Sequence, residues 1–248
     1  MTAELALACA VALAGGIVQS ATGFGFALVA APGLTAALGP RVAVSTLTLI
    51  GAVVNLLTLG AERRPTTILR RRAALLVVAS IPGAAAGALL LAHLPVAMLR
   101  GLVAAITLGA VAAYWLSRGA PPVRHDDWPR AAGIGALAGT MGAVAGINGP
   151  PLVVHLRRIG ASAAQARDTL AAFFLASGAM TFALLAITGA LRLEAKSLAL
   201  TALAAGVGQL LGRFAFHVLA ERRDAATLAT LVLSAAMAAA VAVQAAAG

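Results

Sequence analysis

Two stretches of the sequence place glycines and uncharged polar side chains inside long apolar segments. The first is Gly15–Pro32, GGIVQSATGFGFALVAAP, and the second is Gly139–Leu156, GTMGAVAGINGPPLVVHL. Glycine weakens a helix, and a polar side chain in hydrocarbon costs free energy unless it finds a partner. Irregular backbone at membrane depth is tolerated only where it is buried in protein or lines a cavity. Interrupted segments at corresponding places in two halves therefore predict a shared binding site.

The chemistry predicted at these breaks is anion binding. Pro150 and Pro151 suit the first turn of a helix, where an N–H would be unpaired anyway, so a second helical arm should begin near Pro150. Gly23 and Gly25 should precede the corresponding arm in the first stretch. Two helix N-termini that meet at mid-membrane would present backbone amides and the positive ends of helix dipoles to a small anion.

Neutral side chains near the breaks can either donate hydrogen bonds to that anion or cap the broken helices, and a serine can also bond back to its own helix. A separate pair lies four residues apart on one helix face: Gln209 and Arg213. Arg213 is expected either to snorkel to the membrane interface or to contact the anion. The predicted substrate-binding residues are Gln19, Ser20, Thr22, Gly23, Phe24, Gly25, Gly146, Asn148, Gly149, Pro150, Gln209 and Arg213.

Composition places the chain in a membrane. Of its 248 residues 61% are hydrophobic and 10% charged, and the mean hydropathy is +0.97. Soluble domains carry about a quarter charged residues, so the fold class predicted is an all-α polytopic membrane protein. The net charge of +10 comes mostly from short loops between apolar runs, which indicates topology rather than a nucleic-acid partner. The N-terminal stretch lacks a positive n-region, so we expect a membrane segment rather than a signal peptide.

Eight apolar segments can be separated by charged residues, proline and glycine. They are 4–38, 42–61, 73–92, 96–117, 130–157, 166–190, 197–219 and 225–247. A single-pass helix needs about 20 apolar residues, and the six uninterrupted segments each fit one pass. The segment 4–38 is too long for one pass and too short for two full ones. A re-entrant helical hairpin with its tip near residues 22–25 fits that length.

The distribution of basic residues supports hairpins in both interrupted segments. If both segments crossed as simple helices, the loops would carry ten basic residues on one side and seven on the other. If both dip in and return, the split becomes thirteen against four, which the positive-inside rule favours. Both termini would then lie outside. Each half would hold one hairpin and three spanning helices, so residues 1–124 and 125–248 would form inverted repeats.

The two halves also resemble each other at an offset near 123–124 residues. Gly83 would correspond to Gly206, and glycine pairs four residues apart recur at Gly83 and Gly87 and at Gly208 and Gly212. Such small-residue faces allow helices to pack closely in lipid. We therefore expect these pairs to lie in helix contacts.

Other kinds of site are not predicted. No carboxylate lies where a cation transporter usually needs one, and Asp168 is expected in the first turn of its helix. Catalytic constellations, Cys/His metal spacing and a Walker lysine motif are all missing, so neither an enzyme, a cofactor, a metal nor direct use of ATP is expected. The single Cys9 permits no disulfide within the chain.

The sequence resembles the sulfite exporter TauE/SafE family of membrane transporters. The resemblance is carried by GGIVQSATGFGFALVAAPGL, by the GxxxG-type third and seventh segments and by GTMGAVAGINGPPLVVHL, where Asn148 and Gly149 stand in place of two usual glycines. It implies transport, commonly outward, of sulfite, sulfoacetate or related organic anions across a bacterial plasma or inner membrane. We therefore expect a secondary transporter working by alternating access. The alternatives are a passive channel, a non-transport scaffold and a membrane enzyme. The expected partners are a small anion and the lipid bilayer, and a homodimer is left open.

The hairpins lead to a prediction about topology. With two hairpins, residues 62–72 and 156–168 lie on the same, cytoplasmic, side. Thr66→Cys and Ser162→Cys in a Cys9→Ala background should therefore both be protected from an impermeant thiol reagent supplied outside. Labelling of one position and not the other would contradict two hairpins.

Overall fold

The computed structural model describes residues 2–22, 25–60, 66–117, 128–219 and 223–247. Within these ranges the chain forms ten α-helices and no strand, as the all-α prediction required. The helices are α1 Ala3–Thr22, α2 Phe26–Leu38, α3 Pro40–Gly60, α4 Arg70–His93, α5 Val96–Ser117, α6 Trp128–Ala145, α7 Gly149–Arg158, α8 Ala163–Ile187, α9 Ala195–Leu219 and α10 Arg223–Ala247.

Six stretches of the described chain are helical, long and apolar enough to cross a membrane. They are Ala3–Ser20, Pro40–Gly60, Arg70–His93, Val96–Ser117, Ala163–Ile187 and Ala195–Arg213. Large apolar side chains face outward on these helices, including Leu116 at 83% exposure and Ile187 at 81%. Such surfaces are suited to lipid rather than water. One difference from the predicted hairpin is that its first arm, α1, is by itself long enough to cross.

Helix breaks fall inside both interrupted segments, and the chain reverses direction at each. A methyl group at Gly15 would lie 2.9 Å from the carbonyl oxygen of Phe26, and one at Gly33 would lie 2.6 Å from Val11. Helix α2 therefore runs back along α1. In the second segment, Trp128 at the start of α6 and Ile159 just after α7 line the same surface pocket. Helix α7 therefore ends near the level where α6 begins.

Backbone contacts at glycines join α4 to α6. A methyl group at Gly83 would overlap the carbonyl oxygen of Ala136, and one at Gly87 would lie 2.7 Å from the carbonyl oxygen of Thr140. From the other helix, a methyl group at Gly139 would overlap the carbonyl oxygen of Ser80. No side chain larger than hydrogen fits between these helices at such positions.

The same kind of contact joins α1 to α9. Gly208 meets the carbonyl oxygen of Leu13, Gly212 meets Ile17, and Gly16 of α1 meets the carbonyl oxygen of Ala205. Both glycine pairs predicted from the sequence thus lie in helix contacts.

Two details of the sequence analysis are wrong. A methyl group at Gly206 would meet nothing within 4 Å among the described residues, so the packing counterpart of Gly83 is Gly208, at an offset of 125. Asp168 does not lie in the first helical turn, because α8 already begins at Ala163 after a capping box formed by Ser162 and Gln165. A helix start chosen by apolar content alone misses the polar capping residues that precede it.

Contacts between distant segments define the two ends of the helix bundle. At one end the amide of Thr67 donates to Asp168 Oδ2 at 2.7 Å, which holds the segment before α4 against α8. At the other end Arg41 donates to the carbonyl oxygen of Leu91 at 3.0 Å, and the amide of Arg192 donates to Ser45 Oγ at 3.0 Å. The segments around Thr67 and Asp168 therefore lie together, at the end opposite to Arg41 and Arg192.

The α9 glycines provide a matched test of backbone packing. Gly208→Ala should destabilise the protein by about 1–3 kcal/mol, because the methyl group overlaps α1. Gly206→Ala, two residues away, should be neutral or stabilise it by up to about 1 kcal/mol, because alanine favours helix and meets open space. Melting curves of the purified variants in detergent measure both effects. Equal melting temperatures for the two variants would contradict the packing described.

Candidate functional site

The first helix break is stabilised by the side chain of Gln19, in the last turn of α1. The amide of Phe26, the first residue of α2, donates to Gln19 Oε1 at 3.1 Å. Gly25 precedes it with φ of 112°, a conformation that glycine adopts without strain. Gln19 is 3% exposed, so this bond satisfies an amide that would otherwise be buried without a partner. Gln19 thus acts as a cap, one of the two roles that the sequence left open.

A short hydrogen-bond chain extends from this cap to α3. Gln19 Nε2 donates to Asn55 Oδ1 at 3.4 Å, and Asn55 Nδ2 donates to the carbonyl oxygen of Gly51 at 2.6 Å. Because a backbone amide only donates, the atom facing Phe26 must be the amide oxygen of Gln19, which turns its nitrogen toward Asn55. Asn55 was not among the residues predicted for the site. The feature of the sequence that could have identified Asn55 is its position as an amide side chain in the middle of an otherwise apolar helix.

The second break is built differently. Helix α6 ends at Ala145 and is followed by Gly146, whose φ is +72°. The amide of Gly146 donates to the carbonyl oxygen of Gly142 at 2.9 Å, a common way for glycine to terminate a helix. Helix α7 follows after the N-cap residue Asn148, with Pro150 and Pro151 in its first turn as predicted. Prolines have no N–H, so this helix start offers fewer amide donors than α2 does.

Both breaks line one cavity of about 80 Å³. Residues 25–28 of the first segment and 146–150 of the second contribute to its wall. Gln19 of α1 and Gly142 of α6 also line it. The remaining wall comes from α3 and α8, which pack against each other. A water-sized group needs roughly 10–15 Å³ of such space, so the cavity has room for a few such groups, or for one small polyatomic ion.

Helices α3 and α8 supply polar groups that the sequence analysis missed. Thr48 and Asn55 line the cavity from α3, and Thr181 lines it from α8. Asn148 Nδ2 donates to Ser177 Oγ on α8 at 3.4 Å, which connects the second break to that wall. The possible signal was the run Ser177-Gly178 followed by Thr181, small and polar residues within a lipid-length helix.

The predicted site residues divide into three groups. Six line the cavity: Gln19, Gly25, Gly146, Asn148, Gly149 and Pro150. Three do not: Ser20 packs against Gly212, Gln209 Nε2 donates to Thr58 Oγ1 at 3.4 Å, and Arg213 is exposed and donates to the carbonyl oxygen of Leu57. Gly23, Phe24 and the side chain of Thr22 lie outside the described residues. The exposed position of Arg213 agrees with snorkelling.

The cavity has a mostly apolar lining that includes five polar side chains. Its described polar side chains are those of Gln19, Thr48, Asn55, Asn148 and Thr181, and none of its described lining residues is ionisable. The first turns of α2 and α7 add the positive ends of two helix dipoles. No group of three His, Cys, Asp or Glu that could hold a metal occurs in the part of the chain that the structure describes. The arrangement can solvate a small anion through dipoles and neutral donors.

These features define a class of protein. A chain that is all-helical in its described part, with several membrane-length helices and two helix breaks around one cavity, is a multi-pass membrane protein. The family model of the sulfite exporter TauE/SafE matches residues 7–242, so the chain belongs to this family of membrane transporters. Neither the curated proteins nor the solved structures include a significant match.

Glycines at the breaks allow site geometry to be separated from stability. Gly149 has no positive φ, and a methyl group there would lie 3.4 Å from Phe174, an ordinary contact. Gly149→Ala should therefore keep the wild-type melting temperature. It should still lower transport in proteoliposomes about tenfold or more, equivalent to roughly 1.4 kcal/mol, because the methyl group enters the cavity.

Gly25→Ala serves as the comparison. Alanine at a φ of 112° is strained, so this variant should lose about 1 kcal/mol or more of stability as well as flux. Wild-type flux in Gly149→Ala would show that the transported ion does not pass this cavity.

Proposed function

We propose that the protein is a secondary transporter for a small anion, such as sulfite or an organosulfur or organic acid. The observation that carries this proposal is the meeting of two helix breaks, from opposite halves of the chain, at one cavity whose described lining combines neutral polar groups with apolar ones. Membership of the sulfite exporter family supports the same substrate class.

The choice of an anion follows from the electrostatics of the cavity. The N-termini of α2 and α7 both border it, and helix N-termini favour negative charge. A cation would need carboxylates or several convergent carbonyl oxygens, and no carboxylate is among the described lining residues. Arginine and lysine are also missing from the lining residues that the structure describes. Binding by dipoles and neutral donors is weak enough to allow release, which transport requires.

The size and chemistry of the lining favour a compact oxyanion. Asn148 and Thr181 reach the cavity from two different elements, so their donors can address separate oxygens of one ion. The Thr48 hydroxyl, by contrast, donates to the carbonyl oxygen of Val44 at 2.8 Å. Sulfite carries three oxygens on a single sulfur atom. Apolar lining residues such as Phe26 and Phe174 can pack against the methylene groups of a small organic acid.

The same proposal includes eight membrane segments in two inverted repeats, residues 1–124 and 125–248, each opening with a re-entrant hairpin. Helix pairing supports it, because exchanging the halves exchanges observed pairs. The pair α4–α6 corresponds to the pair α9–α1, whereas the pairs α3–α8 and α5–α10 each correspond to themselves. The end at which Thr67 meets Asp168 carries the larger share of the basic residues and would be cytoplasmic.

Alternating access would then be a movement of the α3–α8 pair relative to the two hairpins. Both helices line the cavity and both continue to the two ends of the bundle. Shifting them would open the cavity to one side while closing it to the other. A channel would use the same cavity without this alternation, so the kinetics of flux distinguish the two mechanisms.

Asn148 provides the mutation that tests this function. Purified protein in liposomes should give sulfite flux that saturates with concentration and follows the imposed gradient. Asn148→Ala should weaken apparent affinity about tenfold or more, the cost of roughly 1.5–3 kcal/mol for a lost hydrogen bond to a charged ligand. Its melting temperature should change little, because its only described side-chain bond, to Ser177, is long at 3.4 Å.

Ser117→Ala is the matched control, because it also removes a polar side chain but lies at the end of α5, bonded to the carbonyl oxygen of Tyr114. It should keep wild-type affinity. Flux that rises linearly with concentration would favour a channel, and an Asn148→Ala variant with wild-type affinity would contradict the site.

A further inference from the structure

Two contacts at opposite ends of the bundle occupy equivalent positions in the two halves. The amide of Thr67 donates to the side chain of Asp168, and the amide of Arg192 donates to the side chain of Ser45. Residues 67 and 192 differ by 125, the offset between Gly83 and Gly208 in the packed helices. Residues 45 and 168 differ by 123, the offset between Gly16 and Gly139, which form corresponding helix contacts. The two contacts are therefore counterparts.

The first contact, which we call the inner latch, consists of Thr67 and Leu69 with Asp168 and Thr169. Asp168 Oδ2 accepts from the Thr67 amide at 2.7 Å and from the Thr67 hydroxyl at 3.0 Å. Thr169 Oγ1 accepts from the Leu69 amide at 3.0 Å. Asp168 is 5% exposed and Thr169 is buried. All of these hydrogen bonds are formed, so the inner latch is closed in this structure. The two that Asp168 accepts are strong, because the acceptor is a carboxylate.

The second contact, the outer latch, consists of Ser45 and Thr46 with the connection before α9. In the outer latch the Arg192 amide donates to Ser45 Oγ at 3.0 Å, which is equivalent to the bond from the Thr67 amide to Asp168 in the inner latch. Thr46 is the counterpart of Thr169 by the offset of 123. It is fully buried, and its Oγ1 has no hydrogen-bond partner among the described residues. A buried hydroxyl without a partner is uncommon and needs an explanation.

Both latches act on the helices that wall the cavity. The inner latch ties the connection between α3 and α4 to α8, and the outer latch ties the connection between α8 and α9 to α3. Each latch therefore fixes one end of the α3–α8 pair to an element of the other half. A conformation that opens one end must release the latch there.

We propose that the two latches close alternately during transport. In this structure the inner latch is complete and the outer latch is partly made. When the inner latch opens, the second hydrogen bond of the outer latch forms. In it Thr46 Oγ1 accepts from the amide of Glu194, which is the counterpart of Leu69 at the offset of 125. The unpartnered hydroxyl of Thr46 is thus the acceptor of the opposite state. This inference rests on the proposed alternating access.

The test compares the same substitution at the two equivalent threonines. Thr169→Val removes the acceptor of a bond that exists here, whereas Thr46→Val removes a hydroxyl that has no partner here. Thr169→Val should shift the protein toward the state open at the inner end, and Thr46→Val should shift it the other way. Asp168→Asn, which keeps the side-chain shape but removes the charge, should act like Thr169→Val.

Cysteine accessibility measures the shift without a transported substrate. Thr181→Cys and, separately, Thr48→Cys place a reporter on either wall of the cavity in a Cys9→Ala background. Membrane vesicles of both orientations receive an impermeant maleimide from each side. Labelling from the end that carries Thr67 should become roughly threefold faster or more in Thr169→Val and slower by a similar factor in Thr46→Val.

The outcomes separate this proposal from the proposed function. Equal labelling rates in the two valine variants, or no labelling of either reporter from either side in any variant, would overturn the latches. Melting curves should show Thr46→Val at or above the wild type, which excludes misfolding as the cause of its slower labelling. If the valine variants shift the labelling as expected while sulfite flux is absent, the latches stand and the substrate assignment fails.

Discussion

The structure depends on direct contact between helix backbones at glycine. In lipid there is little hydrophobic driving force between helices, so close packing supplies much of the association. Gly83 and Gly139 bring α4 and α6 together, and Gly208 and Gly16 do the same for α9 and α1. These contacts hold the first arm of each broken segment against a long helix. The two breaks are therefore fixed at positions where they face one cavity, which a looser pair of helices would not achieve.

A broken helix inside a membrane must satisfy the backbone groups that the break leaves free. The first break uses a side chain. Gln19 Oε1 accepts a hydrogen bond from the Phe26 amide, and Gln19 Nε2 donates one to Asn55 Oδ1. The second uses the glycine-terminated end of α6 and two prolines that have no amide to satisfy. Both solutions are uncharged. The remaining field at the cavity is then set by helix dipoles and neutral donors, which suits an anion that has to be released as well as bound.

The helices, the two helix breaks and the convergence of both breaks on one site could be predicted from the sequence. The signals are local ones: the length of the apolar runs, and the glycines and prolines inside them. The sequence could not predict the walls contributed by α3 and α8. Nothing near Asn55 or Thr181 in the sequence indicates which neighbour each will face. Gln209 and Arg213 were assigned to the site from their shared helix face, but that face contacts Thr58 and Leu57, near the end of α3. Which glycine of the second break is left-handed could not be predicted either, because helix ends are uncertain by a few residues in sequence-based prediction; it is Gly146.

The central claim is that a small oxyanion binds between the two helix breaks. Selenite, the heavier homologue of sulfite, can be located directly by its anomalous scattering in crystals soaked with it. We predict a selenium peak inside the cavity, between Gly25 and Gly149 and within hydrogen-bonding reach of Asn148. A cavity without a peak, with selenium bound only at basic surfaces such as the one around Arg70, would contradict the account.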